Sequence, residues 1–135
     1  MATSHLWGDL PEVVDIRTPK MVLAEQASAL QEITKGALTC ELVADAGQGQ
    51  RFIRNSMRIV APSLGRYSVE LVQVSHPVIV YPCIIESHFL EKPGEKCEDE
   101  AELEKALVTI LQDPKTHKLI TNLLQQIKAE NSIAA

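Results

Sequence analysis

From Leu38 to Ile85 the apolar side chains tend to recur at every second residue, and the breaks between the extended runs are only a few residues long. Parallel neighbours need a crossover of about a dozen residues or more, usually helical, so runs joined this tightly fold back on one another as antiparallel strands. Leu38, Cys40, Leu42 and Ala44 share one face of a first strand, with Thr39, Glu41 and Asp45 among the alternates. Asp45 to Gln50 is polar and glycine-rich, a connection. Phe52 to Ala61 makes a second strand, with Ile53, Met57 and Ile59 opposite Arg54, Ser56 and Arg58. Pro62 and Gly65 break it, and Tyr67 to Val74 makes a third that ends at the turn His76-Pro77. Val78 to Ile85 is a nearly unbroken β-branched run, the mark of a strand covered on both faces, although Pro82 removes a ladder donor and implies an edge or a bulge. Glu86 to Glu98, charged and interrupted by Pro93-Gly94, is expected to be a surface loop.

Helical spacing occurs only outside this block. Thr18-Pro19 is a helix start, because threonine can cap free amides and proline at the first helical position has no donor to lose. Leu23, Ala27, Leu30 and Ile33 or Thr34 then recur at helical intervals until Gly36, so a first helix runs from about Pro19 to Lys35. Asp99 and Glu102 have capping-box spacing before the stripe Leu103, Ala106, Leu107, Ile110 and Leu111. Asp113-Pro114 ends that helix and starts another, in which Ile120, Leu123, Leu124 and Ile127 share a face. The expected class is α+β: an N-terminal helix, a four-stranded mainly antiparallel sheet and two C-terminal helices packed on the sheet. Residues 1–135 form a single domain, with 1–17 as an arm docked through Leu6, Trp7 and Val13 or Val14, and 129–135 as a frayed tail.

Composition narrows the function classes. With 45% apolar and 23% charged residues the chain can bury an ordinary core. A formal charge of -5 argues against general nucleic-acid binding, whose affinity comes mostly from lysines and arginines neutralising phosphates. The aromatics do not interleave with the arginines as they would on a single-strand platform. No segment approaches the roughly twenty apolar residues that span a bilayer. The first residues lack the pattern of a secretory signal, and Ala2 stands where myristoylation needs glycine. Three cysteines at irregular spacing suit reduced thiols, so the expectation is a cytoplasmic protein without a membrane or nucleic-acid partner.

Motifs for chemistry are sparse. Cys83, His88 and Cys97 are zinc-type ligands, but they lack the paired-cysteine knuckle of structural zinc sites, and no metal or cofactor is expected. No nucleophile elbow, phosphate-binding loop or dinucleotide turn is present. Charge is polarised instead. Arg51, Arg54, Arg58 and Arg66 lie in an interval without an acidic residue, while eight acidic residues occupy positions 86–104. The acidic run has a structural explanation at a helix N-terminus, and arginines on an outer strand face protect and solubilise it. The same four arginines are the candidate binding residues for an acidic partner. The expected function is a small non-enzymatic protein-binding or adaptor domain that acts by contact with a protein partner or by self-association as a homodimer. The alternative is an enzyme or ligand-binding domain with a pocket between sheet and helices near His76, Tyr81, Cys83 and His88.

Overall fold

The computed structural model describes residues 6–12, 15–45 and 51–134. The order of elements is α1 (Pro19–Ile33), β1 (Thr39–Asp45), β2 (Phe52–Ala61), β3 (Tyr67–Pro77), β4 (Cys83–Ser87), β5 (Lys92–Cys97), α2 (Glu100–Leu111) and α3 (Pro114–Ala134). The strands form one sheet in sequence order, and all four pairings are antiparallel. The α+β class and the meander follow the periodicity. The strand count does not, since the sheet has five strands among the described residues and not four.

The extra strand is β5, in the charged segment expected to be a loop. Its burial is confined to Cys97, so no alternation of apolar side chains announces it. Backbone pairing with β4 holds it in place, and Gly94 lets the two strands close up, because a Cβ there would lie 2.8 Å from Ile84 Cγ2. The fourth strand is shorter than expected. Pairing starts at Cys83, while Val78 and Ile79 sit in a turn, 81% and 71% exposed. Pro77 and Pro82 bracket that turn and have no amides to contribute to a ladder. Only Cys83 and Ile85 of the β-branched run are buried, so it is not covered on both faces.

The helices start where the caps predict. Met21 N–H donates to the Thr18 hydroxyl (3.3 Å), Glu102 N–H to Asp99 Oδ1 (2.9 Å), and Lys115 N–H to Asp113 Oδ1 (2.8 Å). After Thr34, the C-cap of α1, Gly36 takes a φ of 83°, a conformation glycine adopts without penalty. Helix α3 continues through Ala134, past the point where the polar tail was expected to lose order.

All three helices lie on one face of the sheet. Val22 and Leu23 of α1 and Leu103, Ala106, Leu107 and Ile110 of α2 meet Met57, Ile59 and Ala61 of β2, Leu71, Val72 and Val74 of β3, Cys83 and Ile85 of β4 and Cys97 of β5 in one core, joined by Leu123 and Ile127 of α3. Successive strand residues point to opposite faces, so Leu71 and Val72 would not ordinarily both be buried. The register shift between β2 and β3 solves this. Met57 pairs with Val72 and Arg58 with Glu70, which leaves Leu71 as the extra residue of a bulge. The bulge resets the phase of β3, and Val69, Leu71, Val72 and Val74 all reach the core.

The opposite sheet face is polar. Thr39, Glu41, Val43 and Asp45 lie beside Val60, Arg58, Ser56 and Arg54. None of the helices among the described residues is long and apolar enough to cross a membrane.

Candidate binding groove

Arg54 and Arg58, four residues apart on β2, share the outer face of the sheet as the strand period requires. Arg58 is exposed and Arg54 half-buried. Each stands beside acids of its own chain, Arg58 between Glu41 and Glu70, and Arg54 next to Asp45. Arg66, in the turn after β2, donates to Glu41 at 3.0 Å, and Arg51 lies exposed before the strand. Arg54, Arg58 and Arg66 thus belong to one side of the molecule, and all three are interleaved with carboxylates.

Arg17, the fifth arginine, has the richest set of partners. Its guanidinium donates to Glu25 of α1, and to Glu100 (2.6 Å) and Glu104 (2.5 Å) at the start of α2. Its backbone carbonyl accepts the hydroxyl of Tyr81 (2.9 Å). The three carboxylates, with their hydrogen bonds, hold the guanidinium pKa above its ordinary value. This contact fixes the entry to α1, whereas Leu6 and Trp7, expected to dock the arm, are 99% and 78% exposed. Val13 and Val14 lie outside the described residues. Sequence reasoning treated the acidic run as a helix-terminal preference, and nothing local in it points to residue 17.

Of His76, Tyr81, Cys83 and His88, Tyr81 and Cys83 are close enough to act on each other electrostatically. His76 is buried, and its Nδ1–H donates to the carbonyl oxygen of Pro77 (2.8 Å). His88 is exposed, with Nε2 3.8 Å from Glu86. Cys83 pairs directly with Cys97 across β4 and β5, and both are fully buried free thiols. Burial, aided by the neighbouring Cys97, pushes the Cys83 thiol up to about 12, and burial likewise raises Cys97. Burial also raises the Tyr81 phenol to about 12. Among the described residues no group of three or more histidines, cysteines and carboxylates is placed to hold a metal ion.

A groove of about 490 Å³ opens between the helices over the β1–β3 half of the sheet. Cys40, Met57, Ile59 and Leu71 form its floor, and Leu30 and Ile33 of α1, Val108 and Leu111 of α2, and Ile120 and Leu124 of α3 form its walls. It exists because α1 packs on β1 and β2 while α2 packs on β4 and β5, which leaves the middle of the sheet open on the helix side. Ile33 and Val108 mark the mouth, 76% and 49% exposed. Gln26, Gln112, His117 and Thr121 supply polar groups, and among the described residues no carboxylate, ammonium or guanidinium lines the groove. The hydroxyls of Thr34 and Thr116 already donate to the carbonyls of Leu30 (2.9 Å) and Ile110 (2.7 Å). Cys40 is raised to about 11 by burial, so its thiol stays protonated near neutral pH and is a poor nucleophile. A smaller hollow lies between the turn after β2 and α3, lined by Leu64, Tyr67, Leu119, Asn122, Leu123 and Gln126. None of the four residues of the alternative pocket lines either cavity.

No protein-family model, curated protein or solved structure matches this chain.

Proposed function

We propose that the chain is a non-enzymatic binding domain that works by protein contact and takes the apolar side chains of a partner's amphipathic helix into the groove between α1, the sheet and the α2–α3 corner. The observation that carries this is an open, uncharged apolar cavity of about 490 Å³, inside the range of roughly 300–1,000 Å³ found for ligand sites. An amphipathic helix buries its apolar stripe in such a groove and leaves its polar flanks at the rim, where Gln26, Gln112, His117 and Thr121 stand. The lining offers a substrate no activated nucleophile, which favours binding over catalysis. The arginines at 51, 54, 58 and 66 form a second, weaker surface for an acidic partner, because the neighbouring carboxylates offset much of their charge. Three free cysteines suit a reducing compartment such as the cytoplasm.

The test uses a fluorescent leucine-rich amphipathic peptide as probe. It should bind the native protein saturably, weaken at least tenfold with Ile33→Glu plus Val108→Glu, and be unaffected by Arg54→Glu plus Arg58→Glu. Absence of saturable binding, or loss only in the arginine variant, would overturn the reading.

A further inference from the structure

The two edges of the sheet are built differently. β5 carries Lys92, Pro93, Gly94 and Lys96 in six residues. Proline has no amide to offer, and edge lysines resist burial between strands, so these residues discourage a further strand from adding. β1, Thr39-Cys40-Glu41-Leu42-Val43-Ala44-Asp45, contains no proline, glycine or lysine. It pairs with β2 on one side, and no strand among the described residues lies along its other side. An edge of this length without such protection is a template for another strand.

We propose that β1 pairs antiparallel with β1 of a second copy, across a twofold axis normal to the sheet, so that two five-stranded sheets become one. The register follows from parity. Residues directly opposite each other in an antiparallel pair point to the same face. A twofold axis normal to the sheet keeps every side chain on its own face, so the axis must pass through a residue and not between two.

An axis at Leu42 pairs the whole strand: Thr39 with Asp45, Cys40 with Ala44, Glu41 with Val43, and Leu42 with the partner's Leu42. No like charges are opposed, and Arg66 already neutralises Glu41 at 3.0 Å. An axis at Glu41 sets that carboxylate against the partner's Glu41, and one at Val43 sets Glu41 against the partner's Asp45, both destabilising arrangements. Axes at Cys40 or Ala44 leave most of the strand unpaired. The strand is therefore self-complementary in a single full-length register.

The same symmetry puts both α1 helices on one side of the joined sheet, next to the axis, because α1 packs on β1. Helix contact then adds to strand contact, which matters because stable interfaces bury about 1,200–2,000 Å² in total. The interface is isologous and closed, so association stops at two copies. This inference does not depend on the groove.

The experiment is sedimentation of the full chain through a micromolar dilution series, with two substitutions at one position. Val43, 42% exposed on the outer face, stands opposite the partner's Glu41. Val43→Glu opposes two carboxylates, once in each symmetric half, and should weaken the dimer at least tenfold. Val43→Lys sets an ammonium against the same carboxylate and should keep the dimer. A native chain that stays monomeric, or two variants that associate alike, overturns the proposal. Should either variant fail to fold by circular dichroism, hydrogen exchange of the native chain decides. β1 amides whose protection grows with concentration support the pairing, and unchanged protection rejects it. Ile33→Glu plus Val108→Glu should leave the dimer intact, so loss of peptide binding and loss of association are separately visible.

Discussion

A buried thiol keeps its proton because the thiolate would lose its hydration without gaining a partner. Cys40 and Cys83 are pushed from an ordinary value of 9.0 to about 11 and about 12, and Cys97 moves the same way, in each case chiefly through burial. Between the unfolded and folded values the native state holds more protons than the unfolded one. The stability these thiols contribute is therefore fully present below about pH 9 and is lost as pH rises through the folded values. Urea denaturation midpoints should fall steadily above about pH 9, and the fall should be shallower in a chain with Cys40, Cys83 and Cys97 all changed to Ala. Equal slopes in the two chains would assign the alkaline loss to other groups. The pattern also separates these cysteines from redox or catalytic ones, which need an environment that favours the thiolate.

At the scale of the element, β3 shows how a strand can serve one core with two phases. Leu71 is the unpaired residue between two regular ladders, so deleting it rejoins Glu70 and Val72 opposite Arg58 and Met57 and preserves every inward-facing position. That deletion should cost about 2–5 kcal/mol, the range for losing a buried leucine, and leave a folded sheet. Deleting Gln73 should be far worse, because it turns Val74 and His76 to the outer face. Thermal unfolding ranks the two, and equal damage would mean that the bulge does not set the phase. The helices and the first three strands were legible because their side chains carry a period and their caps a signature, although β3 runs on through His76 and Pro77, where a turn was expected. β5 was not legible, because its sheet membership rests on backbone pairing and its exposed residues read as a loop. The groove was illegible for a related reason. Its lining comes from six elements, and residues such as Ile33, Leu111 and Ile120 read locally as ordinary core positions.

For the molecule as a whole, the meander places each strand beside its sequence neighbour, so nearly all sheet contacts are short in sequence. Alongside the packing of α1 against α2, Arg17 makes contacts of far longer span. It joins the segment before the first helix to carboxylates 83 and 87 residues later and to the loop before β4. Loop-closure entropy must be lost before a contact of such span can form, so local hairpins assemble first and the arginine clasp closes on a nearly finished sheet. Interactions absent from the folding transition state act on the reverse reaction. Arg17→Ala should accordingly speed unfolding in a stopped-flow experiment and leave the refolding rate almost unchanged, whereas slowed refolding with unaltered unfolding would place the clasp in the nucleus. In terms of time, the fifth arginine sets how long the domain stays closed once made, and has little say in how fast it is made.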